Sequence, residues 1–152
     1  MVFTVPGKPQ GKGRPRFTRQ GRIYTPKATA DYEKTIRTVY RLIYGDSSFK
    51  DKPISLTVLA VFKIPKGTSK INKAKMLNGE IRPSVKPDFD NILKIIADAL
   101  NGIAYDDDKQ IVHSSIDKIY ADKQGVIIII EDCLPDVGKF DELINKSLQV
   151  LK

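Results

Sequence analysis

The feature that most restricts the fold is Val126–Ile130, a run of one valine and four isoleucines. These β-branched residues favour a strand, and the run is far shorter than the roughly 20 residues of a membrane-spanning helix. An unbroken apolar strand is typical of burial on both faces. With 41% hydrophobic and 29% charged residues, the composition is that of a folded globular protein. We therefore predict a buried sheet and no membrane association.

Strand and helix patterns are mixed along the 152 residues, which predicts an α+β fold. We expect a single domain over residues 1–152, with a mostly antiparallel mixed sheet packed against helices. The predicted strands are 3–5, 54–62, 110–120 and 126–131, the last two joined as a hairpin, with a smaller hairpin over 17–25. Four helices are predicted. The first begins near Pro26 or Thr29 and ends at Gly45, the second and third cover 69–77 and 88–101, and the last begins at Asp136 or Asp141.

Charge is divided unevenly along the chain. Residues 1–86 carry 19 basic and 5 acidic side chains, a net charge of +14, whereas residues 87–152 carry a net charge of −6. A basic excess usually indicates an acidic partner, most often nucleic acid, although a merely solvated basic surface is the alternative. Phe17 and Tyr24 could stack on bases, or could pack within their hairpin. The candidates for contact with a nucleic-acid backbone are Lys8, Lys12, Arg14, Arg16, Arg19, Arg22 and Lys86.

The single cysteine, Cys133, and the single histidine, His113, exclude a disulfide framework and cysteine- or histidine-rich zinc sites. Any metal would therefore be held mainly by oxygen, which points to a hard ion such as Mg²⁺ or Mn²⁺. His113 as a general base is the weaker alternative. The opening residues show no charged leader before an apolar stretch, so we expect a cytoplasmic protein.

Two acidic clusters carry the chemistry. Asp88 and Asp90 begin a predicted helix, with Lys94 and Asp98 on the same side at successive turns, and Asp106–Asp108 follow that helix. Taken separately, the clusters could be a helix cap and a solvated turn. Taken together in a basic protein, they fit phosphodiester hydrolysis, which needs a divalent ion. The clusters meet only if the second loop folds back along the helix, or if a second subunit intervenes.

The segments Lys86–Lys94, Asp98–Gly102 and Tyr105–Ile111 (KPDFDNILK, DALNG and YDDDKQI) resemble the core signature of the RusA family of Holliday junction resolvases, which are mostly of prophage origin. The segment Gly11–Arg16 also looks like that of many family members. The resemblance implies a small homodimer with a RusA-like mixed fold. It also implies Mg²⁺-dependent hydrolysis, with Mn²⁺ as a substitute, that cuts four-way DNA junctions by paired symmetric nicks in recombination and repair.

Carried over by position, Asp88, Asp90 and Asp108 match the essential carboxylates of the family, and Asp107 matches a further acidic position near the metal. Lys94 matches the essential lysine, which we expect to neutralise phosphate charge in the transition state. The resemblance thus implies catalytic roles for Asp88, Asp90, Lys94 and Asp108, and metal binding by the four aspartates. The alternatives are a structure-selective DNA-binding module without catalysis, and a less selective nuclease acting on flaps or branches. In each case, we expect the protein to act in a bacterial or phage-infected cell.

Overall fold

A four-stranded sheet lies at the centre of the computed structural model, which describes residues 1–18 and 20–133. In chain order the elements are β1 (Val2–Pro6), β2 (Arg16–Phe17), β3 (Ile23–Tyr24), α1 (Lys27–Tyr44), β4 (Ile54–Lys63), α2 (Lys70–Leu77), α3 (Phe89–Leu100), β5 (Ile111–Ala121) and β6 (Gly125–Asp132), with a 3₁₀ turn at Asp108–Gln110 ahead of β5. The predicted single α+β domain with a mixed sheet is confirmed for the described residues.

The sheet order is β1-β6-β4-β5, and one predicted pairing is wrong. Strands β5 and β6 do not form a hairpin, because β4 lies between them, parallel to β5 and antiparallel to β6. The link Asp122–Gln124 is long enough for this step, since two strand spacings amount to only about 10 Å. The parallel pair requires a long crossover, and α2 and α3 lie in that connection.

The core forms between one face of the sheet and helices α1 and α3. Alternate residues of β4 are buried, and Val58 and Leu56 stand opposite the buried Ile128 and Ile130 of β6. On the other face of β6, Ile127 and Ile129 are only half-buried. We expected this strand to be buried on both faces, but its burial is complete on one face only. The helices complete this core with Tyr32, Ile36 and Tyr40 of α1, and Ile92, Ile95, Ile96, Ala99 and Leu100 of α3.

Helix ends lie close to the predicted positions. The hydroxyl of Ser69 accepts the Asn72 N–H at 3.3 Å and caps α2. Gly102, at φ 70°, follows α3 in the left-handed conformation that glycine tolerates best. The small hairpin β2–β3 forms as expected, whereas the helix predicted from Asp136 or Asp141 lies outside the described residues. No helix in the described part of the chain is long and apolar enough to span a membrane.

Candidate active site

The first acidic cluster lies at the start of α3. Asp88 occupies the N-cap position with extended backbone angles, but its side chain makes no capping hydrogen bond. Asp90, in the first helical turn, accepts a hydrogen bond from the Asn91 side-chain amide at 3.3 Å and is exposed. The Asp88 carboxylate is therefore not used to cap the helix, which leaves both groups accessible for binding a ligand.

Asp90, Lys94, Asp98 and Asp108 line one cleft of about 300 Å³ beside α3. The first three form the predicted stripe along the helix, and Asp108 comes from the second acidic cluster. The two clusters therefore meet within one chain, and no second subunit is needed to join them. The cleft is completed by apolar side chains, namely Leu56, Phe89, Leu93, Ala97 and Ile111.

A compact turn after α3 brings Asp108 back to the helix. The Gly102 N–H donates to the Tyr105 carbonyl at 2.8 Å, and the Tyr105 hydroxyl donates to the Ala97 carbonyl at 2.9 Å. Burial raises the pKa of Tyr105, and the nearby charges of Asp108 and Asp98 raise it further. The phenol thus stays protonated and keeps donating to the helix. The loop therefore folds back along α3, which is the first of the two arrangements considered for bringing the clusters together.

Gln110 anchors the second acidic cluster, a role that the sequence analysis missed. Its Oε1 accepts the N–H groups of Asp106 and Asp107 at 2.7 and 3.1 Å. Its Nε2 donates to the carbonyls of Phe49 and Lys52 at 2.8 and 2.9 Å. The one available signal was its position three residues after Asp107, which is the spacing of a capping box.

The three consecutive aspartates have different surroundings. Asp107 accepts the Lys109 N–H at 3.0 Å and caps the 3₁₀ turn, whereas Asp106 lines a separate depression. Within residues 1–18 and 20–133, no three acidic, histidine or cysteine side chains are close enough to form a metal cluster by themselves. Mg²⁺ is often held by only one or two carboxylates together with water and substrate phosphate. The oxygen donors Asp90 and Asp108, which line the same cleft, fit such an ion, and Asp88 shares a neighbouring cleft with Asp90.

A basic groove lies beside the first acidic cluster. Lys8, Arg14 and Lys86 line a cleft of about 710 Å³ together with Asp88. Of the remaining candidates for DNA contact, Arg16 and Arg22 lie in or beside the β2–β3 hairpin and are exposed, and Arg19 is outside the described residues. Positive side chains therefore lie directly beside the first acidic cluster.

A family model, described as endodeoxyribonuclease RusA, matches residues 6–131. The chain belongs to the RusA endodeoxyribonuclease family. It is also similar to YqaN of Bacillus subtilis strain 168, a protein named as uncharacterized, with 34% identity over 136 residues that cover 87% of this chain and 96% of YqaN. The resemblance found in the sequence is thereby confirmed, and membership of the RusA family suggests hydrolysis of DNA.

Lys12 differs from the other basic candidates in this RusA-family chain. Its Nζ lies 2.6 Å from Glu33 Oε1 of α1 and 2.7 Å from Asp98 Oδ2 of α3, and all three side chains are largely shielded from solvent. Its backbone N–H also donates to the Asn91 carbonyl at 2.8 Å. The ammonium predicted to contact DNA is thus engaged by two internal carboxylates, and Lys12 ties the basic loop to two helices.

Gly11 explains how the loop comes so close to α3. A Cβ at this position would lie 2.8 Å from the Pro87 Cβ and 3.0 Å from the Asn91 Cβ, closer than such atoms pack. The glycine in the basic loop therefore permits a close contact with the helix start that carries the carboxylates.

Lys118 of β5 is a second residue that the sequence analysis missed. Its Nζ donates to the carbonyls of Val85 and, at 3.0 Å, of Pro87, so it supports the segment that leads into Asp88. Lys118 also lines a further cleft shared by Asp88 and Asp90. His113 is exposed and is not among the residues that line the cleft of Asp90 and Asp108.

Proposed function

We propose that this chain is a Mg²⁺-dependent endodeoxyribonuclease that resolves four-way DNA junctions by paired, symmetric hydrolysis of two strands. The carrying observation is that Asp90, Lys94 and Asp108 share one cleft, although they come from two separate sequence motifs. Family membership supports the nuclease reaction, and the adjoining basic groove supports DNA as the substrate.

The cleft, together with the helix start and the 3₁₀ turn beside it, offers complementary groups for phosphodiester hydrolysis. Asp88, Asp90 and Asp108, with Asp107 in support, would hold Mg²⁺ or Mn²⁺, and the bound ion supplies charge neutralisation and activation of water. The Lys94 ammonium, which lines the same cleft, would stabilise negative charge that develops on the phosphate oxygens. Outside the cleft, Lys8, Arg14 and Lys86 are proposed to hold the DNA backbone and so orient the strand.

A homodimer is part of the proposal. A four-way junction has approximate two-fold symmetry, and two cuts at equivalent positions require two equivalent sites. A protein dimer with two-fold symmetry provides one such site on each side. We place the activity in recombination and repair, in the cytoplasm of a bacterial or phage-infected cell.

The central experiment compares DNA substrates with and without Mg²⁺. Purified protein is incubated with a four-way junction, a flap and a linear duplex in competition, and the products are mapped on each strand. We expect paired nicks in the junction that disappear when EDTA removes the metal. Equal cutting of flaps would favour the less selective nuclease, and junction binding without cleavage at any metal concentration would favour the inactive binding module.

The Asp90→Asn variant tests the cleft itself. We expect cleavage to fall by about a thousandfold or more, because the lost carboxylate–metal interaction is worth several kcal/mol, while junction binding is retained. Asp31→Asn, an exposed position on α1, is the matched control and should cut like the wild type. Cleavage by Asp90→Asn at the wild-type rate would show that the metal site has been misplaced.

A further inference from the structure

The small β2–β3 hairpin exposes the side chains that a hairpin normally covers. All four of its strand residues are exposed, and the apolar ones are strongly so, with 70% of Phe17, 67% of Ile23 and 44% of Tyr24 accessible. An isolated two-stranded hairpin is at best marginally stable in water, and this one leaves its large apolar groups uncovered. These groups therefore contribute little to the core of the described chain.

The pairing register sorts these side chains onto two faces. Phe17 stands opposite Ile23, and Arg16 stands opposite Tyr24. Directly paired residues share a face of a sheet, and neighbours along a strand point to opposite faces. One face thus carries only the apolar pair Phe17 and Ile23, and the other combines an aromatic ring with a guanidinium group.

The charges around the hairpin identify the kind of partner. The first 30 residues contain seven basic side chains and no acidic one, and the loop that enters the hairpin carries Arg14, which lines the groove beside Asp88. A second copy of the hairpin would bring the same positive charges against Arg16 and Arg22, which is unfavourable. DNA instead offers phosphates for the cations and flat apolar base surfaces for the rings.

We propose that the β2–β3 hairpin stacks against base pairs at the branch point of the junction. Phe17 and Ile23 form an apolar wedge against bases left without a stacked neighbour, as apolar side chains do when they enter DNA steps. Tyr24 stacks from the other face, and Arg16 and Arg22 bind the flanking phosphates. This inference rests on the proposed function, because it assigns the surface that distinguishes a junction from a continuous duplex.

The test is a binding experiment in EDTA, so that it does not depend on cleavage. A four-way junction carries 2-aminopurine, whose fluorescence rises when it loses its stacking, at the branch point. For the double variant Phe17→Ala/Ile23→Ala, we expect loss of the fluorescence rise and about tenfold or greater loss of junction affinity, with linear-duplex affinity nearly unchanged. Leu42→Ala/Ile71→Ala, at positions 81% and 71% exposed on α1 and α2, is the matched control.

The outcomes separate this inference from the proposed function. If the hairpin variant kept the wild-type fluorescence and affinity, the wedge proposal would be overturned but the proposed function would not. An equal loss of affinity for linear duplex would have the same consequence. A shift from dimer to monomer in light scattering, found only in the hairpin variant, would assign the surface to a second copy and would also overturn it. Failure of the wild type to prefer the junction over duplex would overturn the proposed function and the wedge together. Thermal denaturation checks that both double variants fold.

Discussion

At the scale of single residues, Gln110 shows how a neutral side chain can control a charged site. Its four hydrogen bonds join the Asp106–Asp107 backbone to carbonyls of Phe49 and Lys52, in the connection between α1 and β4. Asp108 follows directly in the chain, so its position in the cleft depends on this anchor. We infer that Gln110 is a positioning residue, which acts on the proposed reaction through Asp108.

The Gln110→Glu variant tests this inference. Glutamate keeps the size of the side chain and can still accept two N–H groups, but it cannot donate to the Phe49 and Lys52 carbonyls. We expect kcat for junction cleavage to fall by about ten- to a hundredfold, because a displacement of about 1 Å at a reacting group has that cost, while KM stays nearly constant. Steady-state kinetics with the junction in excess over the enzyme, at several Mg²⁺ concentrations, provide the measurement.

The control for this variant is Gln124→Glu, the same substitution in the exposed link between β5 and β6. It should keep wild-type kinetics. A variant Gln110→Glu that cuts normally, or one whose binding and cleavage decline equally, would contradict a positioning role.

The residue scale also shows the limit of sequence reasoning about the site. The stripe Asp90, Lys94 and Asp98 follows from helical spacing alone, so it could be predicted as soon as the helix was recognised. The arrival of Asp108 in the same cleft depends on hydrogen bonds from Tyr105 and Gln110 to distant backbone groups, for which the sequence carries no local pattern. The roles of the individual aspartates in metal binding remain predictions.

At the scale of elements, the basic loop is held to the helices by Lys12. Partial burial disfavours the charged ammonium, but the hydrogen bonds and charges of Asp98 and Glu33 outweigh that effect, so the pKa of Lys12 lies above its ordinary value of 10.5. A raised pKa in the folded state means that the ion pairs stabilise the fold fully below pH 10.5. Their contribution is lost as the pH rises through the folded-state pKa.

The Lys12→Met variant should therefore lower the free energy of unfolding by about 1–2 kcal/mol at pH 8, since it leaves two neighbouring carboxylates without their shared cation. The difference in the free energy of unfolding between this variant and the wild type should shrink above the folded-state pKa of Lys12. Urea denaturation at pH 8 and in strongly alkaline buffer measures both values.

Lys8→Met provides the comparison, because it removes the same charge from the same loop at an exposed position. No ion-pair partner for Lys8 occurs in the described part of the chain, so its stability should match the wild type. Equal stability of the two variants would show that the Lys12 ion pairs do not hold the loop.

Element boundaries were more predictable than element pairing. Ser69 and Gly102 mark helix ends through local chemistry that any reader of the sequence can see. The pairing of β5 with β4 instead of β6 was not predictable from the short link between β5 and β6, because a link of that length fits both neighbouring strands and strands separated by one other. The internal ion pair of Lys12 was missed for a similar reason, as its partners lie on two distant helices.

At the scale of the whole molecule, basic and acidic side chains are concentrated in different parts of the chain. Residues 1–86 carry a net +14 and supply the basic groove, whereas the carboxylates of the cleft come from the net-negative remainder. A uniform distribution of the net +8 would bind DNA without concentrating negative charge at one site. The observed distribution allows the molecule to attract a polyanion and still offer oxygen ligands to a cation.

This separation predicts steep dependence of junction binding on salt. Five described cations (Lys8, Arg14, Arg16, Arg22 and Lys86) could each neutralise one phosphate, so the slope of log affinity against log salt should be about −4.5 per subunit. Fluorescence anisotropy in EDTA at several salt concentrations measures the slope. Lys8→Gln should reduce its magnitude by about one unit, and a slope near zero for the wild type would contradict binding through phosphates.

The order of the strands has a consequence for synthesis of the protein on the ribosome. Among the described residues, β1 pairs with β6 alone and β4 pairs with β5 and β6, so β4 has no partner in this sheet until β5 has emerged and β1 has none until β6 has emerged. Translation proceeds from the N-terminus, and α1 and α3 meanwhile have no complete sheet on which to bury their apolar faces. The sheet that supports the cleft of Asp90 and Asp108 is therefore incomplete in a nascent chain that has not yet released β6, and we expect the site to form only after translation of this strand.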